Sequence, residues 1–438
     1  MKLWSLITLV CLLTLSLKTF ADAPMKYSKN RVLIKLKDGA DLPKHESIKK
    51  IKHLFKNWYV VHTDVDAFEK RHKLDSSIEV IEKDYYRKIN KLPTPEPEPK
   101  NINFDQTNQS SPFNDSNIHR QWALRSSNEN GVSVLAAYND QNGRTKKDII
   151  VAVVDTGVEY NHEDLKKNMW VNEGEIPGNG VDDDGNGYID DIHGINTLVR
   201  DRDGEATGDP SDGHGHGTHV AGIIGAVQNN RKGIAGIAQR VKIMAIRTVP
   251  NQGDEKDVDV VESFIYAAKN GAKIINCSFG KAHNEGGQAV AEAIEHIGVE
   301  YGTLVIAAAG NDSRDIDSRR TYPASFTSQH LLVVGSSEQG GKLSYFSNFG
   351  KINVDVVAPG SSIYSTYKNG SYAFLSGTSM ASPVAAGIAA EILSQASYLT
   401  PLELKNTMIE TVTKKNSWSL KVYSSGRLDL LRGLKKFY

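Results

Sequence analysis

Residues Ile149–Asp155 read Ile-Ile-Val-Ala-Val-Val-Asp and are followed by Thr156-Gly157. Apolar residues at both odd and even positions suit a strand covered on both faces, the habit of parallel sheets packed between helices. The closing aspartate matters as much as the run. In open parallel sheets the functional site lies outside the carboxyl ends of the strands, and Asp155 falls there.

Outward from this strand, similar apolar runs occur at Val241–Val249, Ile274–Ser278, Leu304–Ala309, Leu331–Val334 and Val354–Ala358. Stretches with helical spacing separate or follow them: His219–Val227, Val258–Lys269, Gln288–Tyr301, Met380–Gln395 and Pro401–Val412. The alternation predicts an α/β fold over residues 118–438, a parallel sheet with helices on both faces.

Upstream the character changes. Arg31–Lys37 and Trp58–Thr63 alternate with period two, as strands do. Between them Glu46–Lys56 carries Ile48, Ile51, Leu54 and Phe55 at helical spacing. Val65–Leu74 reads as a second helix and Ser77–Glu82 as a third strand. Residues 24–91 are thus expected to form a small α+β unit of order β-α-β-α-β. Pro93, Pro95, Pro97 and Pro99 then impose an extended conformation. Residues 92–117 read as an exposed linker, open to cleavage. At the start, Lys2 precedes the apolar run Leu3–Leu17, and Ala21 and Ala23 form an A-x-A pattern. This is the form of a secretory signal peptide over residues 1–23. The run falls short of the about 20 residues a span needs, so stable membrane insertion is not expected.

The composition of the 438 residues, 39% hydrophobic and 24% charged, excludes a disordered chain, a collagen repeat and a multispan membrane protein. A net charge of zero gives no reason to expect nucleic-acid binding. The zero conceals a split: residues 24–100 carry +6, the remainder after them −7. Of two cysteines, Cys11 lies in the expected signal, which leaves Cys277 with no intramolecular disulfide partner.

Three segments carry chemistry. Asp155 ends its strand, His216 opens His-Gly-Thr-His before a helix, and Ser379 sits in Gly377-Thr378-Ser379-Met380 at another helix start. A serine hydroxyl becomes a nucleophile when a histidine accepts its proton, and the histidine needs a carboxylate to fix its tautomer. The helix start behind Ser379 adds free N–H groups where an oxyanion would form.

The segments VVDTGV (153–158), HGTHVAGI (216–223) and GTSMASP (377–383) resemble the three signature segments of subtilisin-like serine proteases, in that family's order. The resemblance runs from about Gln121 to Gly433. It implies that Asp155 orients, His216 is general base and acid, and Ser379 is the nucleophile. LVIAAAGN (304–311) resembles the strand that delivers the family's oxyanion asparagine, here Asn311. By the same resemblance Ala308, Ala309 and Gly310 line one wall of the primary specificity pocket. Ser278, Phe279 and Gly280 line the other and pair with the substrate backbone. His214 departs from the family, where Asn is frequent two residues before the catalytic histidine. His219 is expected to pack within its helix and Cys277 to be a small buried residue.

Gly180–Asp191 reads GVDDDGNGYIDD. Asp182, Asp184 and Asn186 alternate before Gly187, as in calcium loops of the D-x-[DN]-x-[DN]-G type, and the Tyr188 carbonyl and Asp190 continue the series. His193 stands where an EF-hand has its bidentate Glu. Similar insertions in subtilisin relatives bind calcium, so structural calcium is expected. Asp164 resembles a carboxylate of another family calcium site. The 24–91 unit resembles the family's propeptides, which assist folding and inhibit until cut away. The expectation is a secreted, monomeric serine endopeptidase acting on proteins or peptides, made as a self-processing zymogen inhibited by its own propeptide. A silent calcium-dependent binding protein and a non-proteolytic serine hydrolase are the alternatives. The second would carry Gly-x-Ser-x-Gly, which Ala381 breaks.

Overall fold

A computed structural model describes residues 26–86, 92–99, 111–140, 147–281 and 287–437. The expected signal peptide and residues 100–110 of the expected linker lie outside the described residues. The N-terminal unit consists of β1 (Lys26–Leu36), β2 (Lys50–Phe55), β3 (Trp58–His62), α1 (Val65–His72) and β4 (Ile78–Tyr86). Its antiparallel sheet has the order β2-β3-β1-β4.

The helix expected at Glu46–Lys56 is instead the strand β2, so the unit is β-β-β-α-β. Phe55 pairs with Trp58 across a tight turn in which Lys56 has φ 44°. The hairpin puts Lys50, Lys52 and Leu54 on one face and Ile51 on the other. Ile51 packs with Val32, Ile34 and Phe68 inside the unit, and Leu54 packs on the body. Period two therefore wins over the helical spacing, because Ile51 and Leu54 find apolar partners on opposite faces of the strand.

The body contains α2 (Val134–Asp140), β5 (Ile149–Asp155), β6 (Gly194–Arg200), β7 (Ala206–Thr207), α3 (His216–Gly225), β8 (Val241–Arg247), α4 (Asp257–Lys269), β9 (Ile274–Cys277), α5 (Gln288–Tyr301), β10 (Leu304–Ala308), β11 (Leu331–Ser337) and β12 (Val356–Pro359). There follow β13 (Ile363–Tyr367), β14 (Ser371–Leu375), α6 (Thr378–Gln395), α7 (Pro401–Glu410), β15 (Thr413–Lys414), β16 (Gly426–Arg427) and α8 (Leu430–Leu434). Ten strands form one sheet, β15-β16-β12-β11-β10-β9-β5-β8-β6-β7. All neighbours are parallel except β15/β16 and β6/β7 at the two edges. β13 and β14 form a separate hairpin.

The sheet has a core on each side. One is built from α3, α6, α7 and α8 against Val151, Val153, Ile306 and Val334. The other is built from α4 and α5 against Ala152, Val154, Ile275 and Val305. The N-terminal unit extends this second layer, with Leu33, Trp58 and Val60 buried in it. The crossovers leave the ends of β5, β9 and β10 beside the starts of α3 and α6. Among the described residues no helix is long and apolar enough to cross a membrane.

Candidate active site

Asp155 closes β5 and is 1% exposed. Its Oδ1 accepts from the Thr156 backbone at 2.7 Å and from His216 Nδ1 at 2.7 Å. The carboxylate can only accept, so Nδ1 carries the proton and Nε2 is left as the acceptor. His216 is fully buried as the first residue of α3, and among the described residues its Nε2 has no partner. Burial pulls its pKa down, but the Asp155 charge and hydrogen bond, with help from Asp212, outweigh that and raise it above the ordinary value.

Asp212 is a positioning residue that sequence reasoning missed. It accepts from Thr156 Oγ1 (2.8 Å), from the backbone of His214, Gly215 and Thr218, and from Thr218 Oγ1 (2.6 Å). These bonds tie the end of β5 to the start of α3, which sets the His216–Asp155 distance. An Asp four residues before a histidine is common in turns, and no local signal singled it out.

Ser379 lies in the first turn of α6, where backbone N–H groups have no intrahelical acceptor. Its Oγ donates to the Ser278 carbonyl at 3.0 Å, while Ser278 Oγ donates to the Ser379 carbonyl at 2.9 Å. The second bond has a cause in sequence. Pro383, four residues on, lacks the N–H that would otherwise take that carbonyl. Asn311 follows β10, and its Oδ1 accepts from the Thr378 backbone (2.8 Å) and Thr378 Oγ1 (2.9 Å). With its oxygen held this way, Nδ2 is the atom left to donate. Asn311, Ser379, His216 and Asp155 thus all lie at the carboxyl end of the sheet.

The expected pocket walls are both at this end. Ser278 (1% exposed) and Phe279 (5%) continue β9, and Gly280 lies where a Cβ would come 2.9 Å from the Tyr322 carbonyl. Ala308 ends β10, Ala309 is buried beside it, and Gly310 has φ +99° with Asn348 Nδ2 2.4 Å from where a Cβ would stand. His214 packs its ring edge toward His216, centroids 6.5 Å apart, and burial followed by the His216 charge lowers its pKa. His219 bonds the carbonyls of Ile363 and Ala373, and burial pushes its pKa down to about 3, so it stays neutral. Cys277 is a buried free thiol whose pKa burial raises well above the ordinary value, which makes it a poor nucleophile.

The structure brings together Asp184 with two carboxylates not among the expected ligands, Asp191 at the end of the Gly180–Asp191 loop and Glu175 before it. One carboxylate oxygen from each lies within 4.8 Å of the others. Asn172 and Asn186 donate to both Asp184 and Asp191, and Tyr266 donates to Asp191 at 2.5 Å. Burial pushes the Asp191 pKa up to about 6. A set of carboxylates in one place suits a hard cation such as calcium. The expected ligands Asp182 and Asp190 accept from loop backbone N–H groups: Asn186 and Gly187 for the first, Gly178, Asn179 and Gly180 for the second. The Tyr188 hydroxyl donates to Glu262. Asp164 is buried elsewhere, holding the Ile234 backbone and Asn230.

Comparison with known proteins agrees with this geometry. The subtilase family model (Peptidase_S8) matches residues 146–426. Subtilisin-like protease 1 of Plasmodium berghei (strain Anka) is 33% identical over 341 residues, covering 74% of this chain and 55% of that protein. Thermitase of Thermoactinomyces vulgaris is 35% identical over 285 residues, covering 65% of this chain and 88% of that protein. The chain thus spans about half the length of some relatives and most of others. Fervidolysin from Fervidobacterium pennivorans, a keratinolytic enzyme related to subtilisin, shares the fold at TM-score 0.70 and 23% identity, covering 93% of this chain and 61% of that one. A sheet, a site and a family model that coincide over the same residues place this chain in the subtilase family of subtilisin-like serine proteases.

Proposed function

We propose that this chain is a secreted serine endopeptidase, made as a zymogen and working through Asp155, His216 and Ser379. The observation that carries the reading is the buried His216 Nδ1–Asp155 Oδ1 bond of 2.7 Å, with Nε2 unclaimed and Ser379 and Asn311 at the same sheet end. In the reaction, rotation of the Ser379 side chain takes Oγ from the Ser278 carbonyl toward His216 Nε2. Oγ attacks the substrate carbonyl as its proton passes to Nε2, and Asp155 stabilises the imidazolium. The oxyanion is held by Asn311 Nδ2 and the Ser379 backbone N–H. Collapse expels the amine, which takes the proton from His216, and leaves an acyl group on Ser379. Water then attacks by the same route in reverse and releases the acid.

Glu175, Asp184 and Asp191 would hold calcium, which supplies charge neutralisation in the loop and no step of the reaction. Residues 24–91 act as inhibitor and folding aid until the chain is cut between Lys91 and Asn117. Docking of this unit on the body through Arg31, Lys50 and Lys52 supports that role. The export signal rests on Lys2 and the apolar run behind it.

The test is casein hydrolysis by the purified mature protein together with N-terminal sequencing. Wild type should mature and be inactivated by phenylmethylsulfonyl fluoride with the adduct on Ser379. Ser379→Ala, purified from a protease-free host, should stay at full length. Maturation of that variant would reject self-processing, and an adduct elsewhere with loss of activity would reject Ser379.

A further inference from the structure

Residues Leu92–Pro99, between the N-terminal unit and the body, lie along the hairpin that leads into Ser379. The Glu96 backbone N–H donates to the Phe374 carbonyl at 2.9 Å, an antiparallel bridge to β14. Ser376 Oγ donates to Glu96 Oε2 at 2.8 Å. Two residues on, Glu98 Oε2 meets Arg120 Nη2 at 3.2 Å. Arg120 is itself braced: its Nη1 donates to the Tyr364 hydroxyl at 3.1 Å and its guanidinium lies 4.9 Å from the Tyr364 ring centre. At the other end of the segment, Pro93 Cγ lies 3.4 Å from the point where a Cβ on Gly377 would stand. Asn311 Nδ2 is 3.5 Å from that same point.

The prolines fix the register. Proline at 93, 95, 97 and 99 leaves backbone donors at Leu92, Thr94, Glu96 and Glu98, all of one parity. In an antiparallel pair alternate residues turn their N–H toward the neighbour, so the missing donors face solvent. A slip by one residue would set a proline nitrogen against the Phe374 carbonyl and turn both glutamates away from Ser376 and Arg120. The segment therefore fits β14 in one register. It is also a poor template for any further strand.

The direction of the chain assigns the side of the cleft. β4 ends near Lys281, whose Nζ reaches the Tyr85 carbonyl at 3.4 Å, next to the Ser278–Gly280 wall. The described chain resumes at Leu92 and Pro93, beside Gly377, and continues along β14. A substrate bound in the same direction has its acyl part on the Ser278–Gly280 side and its leaving-group part on β14.

We propose that the β14 edge, with Ser376 and Arg120, is a leaving-group-side subsite that takes an extended peptide carrying acidic side chains at alternate positions. The chain's own Leu92–Pro99 segment is its first occupant, and it keeps this side of the cleft closed in the precursor. Phe374 supplies the backbone acceptor, Ser376 recognises the inner acid and Arg120 the outer one. This specificity rests on the protease reading above, whereas occupancy by the segment does not.

Two measurements separate the two. The first needs no activity: amide hydrogen exchange, resolved by residue, in the full-length Ser379→Ala precursor. Glu96 should exchange at least about tenfold slower than Thr94 and Glu98, and Arg120→Gln should speed it by about 2–5-fold, the effect of losing an exposed ion pair. Equally fast exchange at the three amides would overturn the segment's place in the cleft. The second is a cleavage profile of a proteome-derived peptide library with the mature enzyme. Glu and Asp should be enriched about 2–5-fold at two leaving-group-side positions spaced by two. Arg120→Gln should erase the outer preference and keep the inner one, and Arg120→Lys should keep part of the outer. Cleavage without acidic enrichment on that side, or an Arg120→Gln profile that is merely slower throughout, would overturn the subsite while leaving the protease reading intact. Absence of any cleavage would reject the protease reading and with it the subsite's specificity, leaving the exchange result to decide occupancy.

Discussion

At the residue scale the site depends on which atom of each polar side chain is left free. Asn311 keeps Nδ2 available because Thr378 takes its oxygen twice. Asn311→Leu should lower kcat about 10²–10³-fold with KM little changed, since the lost donor acts on the oxyanion; steady-state kinetics on a peptide substrate check it. His216 must be neutral to accept the serine proton, and its pKa is raised. Activity is therefore absent at low pH and appears as pH rises through a value above the ordinary 6.5 of histidine. Asp155→Asn removes the charge that raises it. The acid limb of kcat/KM should then move to lower pH while the rate falls on the order of 10⁴-fold, read from pH–rate profiles of both proteins.

Helices α4 and α5 are capped by the N-terminal unit rather than by their own residues. Glu82 accepts from the Gly287 backbone at 2.6 Å and from Ala289 at 3.3 Å, and Asp84 accepts from Val258 at 3.3 Å. Carboxylates at helix N-termini answer unsatisfied N–H groups and the helix dipole. Burial, then the nearby Asp257, push the Glu82 pKa up to about 7, against the opposing effect of the backbone N–H groups. Released from the body, Glu82 would return to the ordinary carboxylate range, so docking takes up a proton. The sign follows: this contribution to docking is complete below the free value and is lost as pH rises through about 7. The cut but still docked N-terminal unit should therefore dissociate faster at pH 8 than at pH 5, and Glu82→Gln should flatten that dependence. Gel filtration of freshly processed complex at the two values measures it. Asp257 and its partner Lys281 remain in both proteins, so the change of slope reads Glu82.

Across the whole molecule, charge complementarity joins the two units through buried groups. Arg31 bonds Asp84 at 2.8 Å and grips Asp259 with both Nη atoms at 2.8 and 2.7 Å, while Arg200 shares Asp259 and Glu262. Lys52 bonds Glu205 and Glu262. Arg31→Met would leave two buried carboxylates short of a partner. Breaking one side of a buried pair costs about 3–5 kcal/mol, so the Ser379→Ala precursor carrying Arg31→Met should undock or melt earlier in calorimetry. The proposed calcium would act on the same scale. A cation bound only to the folded state stabilises by about 2.7 kcal/mol when its free concentration is a hundred times Kd. Chelation should lower the melting temperature of an inhibited mature sample, and Asp184→Ala should remove most of that shift. Equal melting curves with calcium and with chelator would reject the site.

The sequence by itself determined the parallel sheet, and it carried the Asp155, His216 and Ser379 segments in the family's order with small residues around them. These are local signals: an apolar run on both faces, a carboxylate at a strand end, a histidine and a serine at helix starts. Several outcomes were decided only by the tertiary structure. The stretch around β2 carried helical spacing at Ile48, Ile51, Leu54 and Phe55, yet Lys50 and Lys52 found acids in the body, and a half-buried strand whose lysines pair with acids leaves no apolar alternation to read. In the acidic loop the alternating residues pointed to Asp182, Asp184, Asn186 and Asp190, and only the fold showed that Glu175 and Asp191 come beside Asp184 while Asp182 and Asp190 also accept from backbone N–H groups. Asp212 and the grip of β14 on Glu96 were equally silent. Periodicity records which side of an element is apolar, but a hydrogen bond between residues far apart in the chain leaves no period, and only the folded chain shows which polar groups meet.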